Sequence, residues 1–337
     1  MHGCIRVCFA GMMVAICHPQ TPAGTDLARA ILARPHDPRI QNAYGIALQQ
    51  RGRFEESLSY FRKALHLDPK YADAAHNLAL ALLTVSRPAE ALATLEKHSF
   101  NTADHHAMKG TALNALGRSA EAVLPLRRAF ELAPGNEDYA YDLAIVLLRV
   151  EKSEEAAAVV KKGRKLFPAS AKMLAASGML AYLNGRNAEA AREYEAATKL
   201  EPGAADLWAA LGDVYAVTDS LPAAEAAYSR AIKLDPKSPE YRVKAGRNLL
   251  KLQRAGEAEA AFRKAAEIDP ADPETQFQLG KLAAARGDDP SAIAHFERAV
   301  KSQPSLNSAW YQLSLSYRRT GQETKSHEAL ERFRNTQ

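Results

Sequence analysis

The chain has 337 residues, with 44 Lys or Arg against 39 Asp or Glu and a formal net charge of +5. So small a cationic excess over so long a chain does not mark a nucleic-acid binder, and no nucleic acid is expected among its partners. The three cysteines, Cys4, Cys8 and Cys17, precede a cysteine-free remainder, which excludes a disulfide framework or a thiolate zinc site there.

The N-terminal segment, 1–24, reads as a signal peptide or a disordered segment. Arg6 precedes an apolar run at 7–17 (VCFAGMMVAIC), and HPQTPAG follows, with Thr21 and Ala23 as a small-residue cleavage site. The run is too short to span a bilayer, so no transmembrane span is expected in the mature chain. Val14 to Cys17 also resembles a bacterial lipoprotein box, although Ile16 stands where a small residue is normal. The expected localisation is exported, periplasmic or secreted, with lipoprotein and cytoplasmic readings as alternatives.

From residue 25 onward the pattern is helical. TDLARAILAR, ending at Pro35, is a short amphipathic capping helix (25–36). Prolines then recur every 34 residues at Pro134, Pro168, Pro202, Pro236, Pro270 and Pro304, and Pro35 and Pro69 share that interval. A small residue keeps the same register: Gly45, Ala79, Gly110, Ala144, Gly178, Gly212, Gly246, Gly280 and Ser314. A bulky residue follows sixteen positions later: Phe61, Leu95, Leu126, Val160, Tyr194, Tyr228, Phe262, Phe296 and Leu330. Asp37-Pro38, Ser238-Pro239 and Asp272-Pro273 open first helices, and Asp289-Pro290 a second one, as an N-cap followed by Pro at N1. Gly52, Gly117, Gly185, Gly287 and Gly321 mark the breaks between helices. The interval from Pro69 to Pro134 is three residues short of two periods, so the second repeat, 72–102, should have a shorter second helix or a tighter loop.

In 205–238 the residues Trp208, Leu211, Gly212, Tyr215, Ala224, Tyr228 and Pro236 resemble the tetratricopeptide repeat (TPR). The resemblance covers about 300 residues and implies an all-α fold: a right-handed α-solenoid superhelix of antiparallel helix pairs with a 34-residue period. The solenoid spans 25–337, with repeats at 38–71, 72–102, 103–136, 137–170, 171–204, 205–238, 239–272, 273–306 and 307–337. Trp208, Leu211, Gly212 and Tyr215 lie at i, i+3, i+4 and i+7, so they share one face and identify the scaffold rather than its partner.

In this family the first helix of each pair lines a concave groove. The resemblance therefore implies that peptide-binding residues lie beside the packing stripe. There the middle of the array is apolar, with Tyr141, Ile145, Leu148, Met179 and Tyr182, and the C-terminal end is basic, with Arg247, Lys251, Lys281, Arg318 and Arg319. Such a groove suits a protein or peptide partner with an acidic segment. The expected function is a non-catalytic interaction scaffold. A structural or assembly subunit of an envelope or secretion complex, using its convex face or ends, is the alternative. No phosphate loop, nucleophile elbow, dinucleotide fingerprint or metalloprotease signature is present, so no catalytic residue and no cofactor are expected. His98, His105 and His106 cluster in sequence but match no metal motif, and no metal is expected.

Overall fold

The structure is a computed structural model that describes residues 4–9, 12–17, 29 and 31–335. Strands β1 (Cys4–Phe9) and β2 (Met12–Cys17) form an antiparallel hairpin, in register Arg6↔Ala15. The expected leader, 1–24, is described only in these strands; its other residues lie outside the described ones. Of the expected capping helix, 25–36, residues 29 and 31–33 are helical, while 25–28 and 30 lie outside the described residues.

Eighteen further helices follow among the described residues. They are α1 (Pro38–Gln49), α2 (Phe54–Leu67), α3 (Ala72–Thr84), α4 (Pro88–Lys97), α5 (Ala103–Ala115), α6 (Ser119–Leu132), α7 (Glu137–Arg149), α8 (Ser153–Leu166) and α9 (Ala171–Leu183). The array continues with α10 (Asn187–Leu200), α11 (Ala205–Val217), α12 (Leu221–Leu234), α13 (Pro239–Lys251), α14 (Ala255–Ile268), α15 (Pro273–Ala285), α16 (Asp289–Ser302), α17 (Asn307–Arg319) and α18 (Glu323–Asn335). Within each unit the odd-numbered helix packs antiparallel on the next, as α1 on α2, α5 on α6, α11 on α12 and α17 on α18, in the repeat frame read from the sequence. The contacts cluster into two compact units, Met1–Leu180 and Ala181–Gln337. Each is a stack of helix pairs in which a repeat touches its neighbours, the arrangement of an α-solenoid.

Local chemistry explains the elements. Asp37 accepts a hydrogen bond from the Arg39 amide, and Asp272 one from the Thr275 amide at 2.7 Å, each capping a helix that has Pro at N1. The start of α16 corrects one expectation: its cap is Asp288, which accepts from the Ser291 amide, and Asp289 is already helical. Ser238 sits at the N-cap of α13 without a side-chain cap bond. The turn inside each pair needs one left-handed residue. Glycine supplies it at Gly52, Gly117, Gly185, Gly287 and Gly321, but Ser86, Glu151, Asp219 and Gln253 do the same, with φ between 58° and 61°.

The missing residues of repeat two come out of its second helix, since α4 has 10 residues where α2 and α6 have 14. The helix ends at its C-cap His98, in the column that elsewhere holds the fully buried Ala64 and Ala129.

Helix pairs close through one size-matched contact. The rings of Phe61, Tyr228, Phe262 and Phe296 lie directly over Gly45, Gly212, Gly246 and Gly280, where a Cβ would come within 2.5–2.7 Å of a ring carbon. Where Ala replaces Gly, at Ala79 and Ala144, the bulky column holds the smaller Leu95 and Val160, and all four are buried. The first unit has one continuous apolar core running from Ile46 to Leu180. Smaller clusters form in the second unit, one around Phe262 and one around Phe296.

Candidate functional site on the first-helix face

A cavity on the first-helix face lies in the second unit. It measures about 290 Å³ and is lined from α11 and α13, with Tyr182 near the end of α9 and Tyr228 of α12. Its construction begins at Gly212. With no side chain there, the Tyr228 ring reaches across, and its hydroxyl donates to Asp213 Oδ1 at 2.8 Å. The other Asp213 oxygen accepts from Lys244 Nζ at 2.6 Å, and Lys244 also meets Glu240 at 3.2 Å. Burial pushes the Tyr228 hydroxyl pKa far above its usual value, and the Asp213 charge adds to this. Burial works against the Lys244 ammonium, but its bonds to Asp213 and Glu240 outweigh that and hold its pKa up. The Asp213 carboxylate is thus fully engaged inside the protein.

The remaining cations face outward. Arg247 is exposed and has no hydrogen-bond or ion-pair partner among the described residues. Lys251 is exposed and donates to the Ala216 carbonyl at 2.8 Å. Three cations (Lys244, Arg247, Lys251) against two carboxylates (Asp213 and, on Lys244, Glu240) leave the site one charge positive. Asn248 closes the floor. It is buried and donates to the Leu221 carbonyl at 3.0 Å, while its Oδ1 has no donor. Val217, 54% exposed, forms an apolar lip, and Leu183 one period earlier is equally exposed. An anionic group with an adjoining aliphatic side chain suits this combination.

The other residues singled out by the sequence fare differently. Tyr141 and Ile145 are half-buried against the first unit's core, and Met179 is 36% exposed. Leu148 is a correction: it is 4% exposed and belongs to that core, as Leu83 does in the same column, so a ligand cannot reach it. Lys281 lies over the Phe277 ring at 5.6 Å. Arg318 is exposed. Arg319 is a second correction, because Asp289 holds it bidentately and neutralises its charge. Lys244, Tyr228 and Asn248 were missed, as was the role of Asp213; the signal was an acid and a base 31 residues apart on adjacent first helices.

On the first-helix face of the first unit, Asp142 Oδ2 is sealed from solvent without a hydrogen-bond donor. Burial raises this carboxyl to about 7, the Asp138 charge adds to the effect, and Lys172, which bonds Asp138, opposes it. The His105 and His106 rings meet edge to face at 5.8 Å, while His98 Nδ1 is 2.9 Å from the Pro69 carbonyl and His106 Nε2 is 3.0 Å from Asn101 Oδ1. Among the described residues no group of three or more His, Cys, Asp or Glu is placed to hold a metal, and no helix is long and apolar enough to cross a membrane.

Comparison with known proteins agrees with the fold. One family model, described as tetratricopeptide repeat, matches at 23–72, 141–197, 176–239, 220–273, 243–307 and 277–335. A second of the same description matches at 48–111. No curated protein sequence matches the chain. Among solved structures, a chain of the APC/C hetero-tetramer Cut9-Hcn1 is similar with a TM-score of 0.57 at 16% identity, covering 92% of this chain and 71% of that one. Two structures of MamA are similar over 47% and 49% of this chain and 93% and 91% of theirs, at 19% and 18% identity and TM-scores of 0.43 and 0.44. With the repeat models together matching well over half of its residues, the chain belongs to the tetratricopeptide repeat family.

Proposed function

We propose that the chain is a non-catalytic protein-interaction scaffold, and that the first-helix face of its second unit takes a peptide carrying an acidic residue beside an aliphatic one. The observation that carries this reading is the cavity between α11 and α13. Its own carboxylate is engaged by Lys244 and Tyr228, while Arg247 has no partner among the described residues. The scaffold is held by packing before any ligand arrives, so little ordering cost opposes binding. The apolar run at 7–17 supports export, which cell fractionation with a C-terminal tag tests.

The test is fluorescence anisotropy with a labelled peptide containing Leu-Glu pairs, against the same peptide with Gln for Glu. Arg247→Glu/Lys251→Glu should weaken the acidic peptide by about tenfold or more and flatten its salt dependence. Equal affinity for the two peptides, or an unchanged affinity in the double variant, refutes the proposed site.

A further inference from the structure

Acids and bases on the first helices of the second unit are unequally committed. Helices α11, α13, α15 and α17 carry four carboxylates, Asp206, Asp213, Glu240 and Glu274. Each is bonded within the protein. Asp206 accepts from Tyr241, Asp213 from Tyr228 and Lys244, Glu240 pairs with Lys244, and Glu274 accepts from the Gln278 amide at 2.8 Å. Four exposed cations on the same helices, Arg247, Lys251, Lys281 and Arg318, form no ion pair among the described residues.

The gap between α13 and α15 also differs from the one before it. Three bonds tie α11 to α13: Tyr241 to Asp206, Lys244 to Asp213 at 2.6 Å, and Lys251 to the Ala216 carbonyl at 2.8 Å. One period on, Arg247 stands in the column of Asp213, Gln278 in that of Lys244 and Phe262 in that of Tyr228. The acid, the base and the hydroxyl are all replaced. Among the described residues no hydrogen bond or ion pair joins α13 to α15.

Arg247 and Lys281 therefore occupy one column on the two sides of an untied gap. The Phe277 ring, 5.6 Å from the Lys281 ammonium, steadies that charge without neutralising it. Arg318 on α17 extends the positive face, and α17 carries no carboxylate to offset it.

We propose that the peptide bound on this face carries two acidic residues, and that the second meets Lys281. This rests on the function proposed above, in which the first acid meets Arg247 and Lys251. Neighbouring first helices in such a stack lie about 10 Å apart, and an extended chain rises about 3.3 Å per residue, so the acids stand about three residues apart, as Glu-x-x-Glu. The aliphatic residue lies on the Val217 side of the first acid. The second carboxylate supplies Lys281 with the counter-charge that the chain itself withholds.

The probes are fluorescein-labelled peptides of one length in a Gly-Ser frame, read by anisotropy at about 0.15 M salt. One carries Leu-Glu-Ser-Ser-Glu. A second has Gln for the second Glu, and a third has Gln for both. A fourth, Leu-Glu-Glu-Ser-Ser, keeps the charge but not the spacing. Each is titrated with the full chain and with its Lys281→Gln and Arg247→Glu/Lys251→Glu variants, whose helices are checked by circular dichroism. The spaced two-acid peptide should bind about fivefold or more tighter than the one-acid and the adjacent-acid peptides. Lys281→Gln should remove that advantage and leave the one-acid peptide unchanged. The proposal is overturned if the spaced peptide binds no better than the one-acid or the adjacent-acid peptide, or if Lys281→Gln leaves its advantage intact. In those cases the first site still stands, provided that the one-acid peptide binds better than the acid-free one and weakens in Arg247→Glu/Lys251→Glu. A one-acid peptide that binds no better than the acid-free one, or that ignores the double variant, instead overturns the function proposed above, and this inference with it.

Discussion

Gly246→Ala tests the size-matched contact between paired helices, because two effects of opposite sign compete there. Gly246 is inside α13, where replacing Gly by Ala should favour the helix by about 1 kcal/mol. Against this, the new Cβ would lie 2.7 Å from Phe262 Cε1, 2.8 Å from Cζ and 3.0 Å from Cδ1. Carbon atoms rest at about 3.5–4.0 Å, so the ring must withdraw by roughly 0.5–1 Å. Phe262 is fully buried, and overpacking of this kind costs about 1–3 kcal/mol. The net expectation is a change between about zero and 2 kcal/mol of destabilisation, where helix propensity alone gives stabilisation. Phe262→Leu alone leaves a cavity and costs roughly 1–3 kcal/mol. Together the two changes recreate the Ala79 and Leu95 arrangement, so the double variant should be about 1–2 kcal/mol better than the sum of the singles. Repeat arrays do not guarantee two-state unfolding, so the readout is native-state hydrogen exchange of amides in α13 and α14. A more stable Gly246→Ala, or additivity of the pair within about 0.5 kcal/mol, would refute the wedge.

Three further outcomes follow from other positions. Glu151→Gly and Gln253→Gly place glycine where the backbone is left-handed, at φ of 60° and 61°, and each should raise the local opening free energy by about 0.5–1 kcal/mol in exchange measurements. Asp142 should make the first unit less stable as pH rises from about 4 to 7, because its folded pKa, raised to about 7, lies above the unfolded one and the folded state binds the proton more tightly. A shift of about three units corresponds to at most ~4 kcal/mol, and Asp142→Asn should remove the slope in urea titrations across that range. Arg319→Ala should lower stability without changing peptide affinity, since the guanidinium is committed to Asp289; a loss of affinity instead would return it to the binding surface.

The helix pairs were legible in the sequence because their register is written in residue types that close packing demands. A small residue against a bulky one, Gly against a ring or Leu and Ala against Leu or Val, is a steric pattern that survives reading in one dimension. The turn column was legible only where it held glycine. At Ser86, Glu151, Asp219 and Gln253 the same left-handed backbone is imposed by the helices on either side, and nothing in those residue types announces it. Leu148 was misread because a residue four places past the small column lies at the edge of the packing stripe, where the neighbouring repeat decides burial. In that column Leu83 and Leu148 are buried, while Tyr182 and Ala216 are half-buried. Arg319 was misread because its partner, Asp289, lies 30 residues earlier on another helix.

That last error explains why the recognition surface is smaller than a column of cations implies. In a stacked array a side chain on one helix meets residues about one period away before it meets solvent. Asp213 with Lys244, Asp138 with Lys172 and Asp289 with Arg319 are all such pairs, at separations of 31, 34 and 30 residues. Each binds one repeat to the next and removes its charge from the surface offered to a partner. Paired charges hold the stack, so on the proposed reading specificity belongs to positions where the period fails to supply a partner. Arg247 is such a position: Asp213, the acid one period before it, is already bonded to Lys244 and Tyr228, and Lys281, one period after it, is another cation. The array therefore leaves the Arg247 charge without a partner among the described residues, which is why the proposed function places an external anion there.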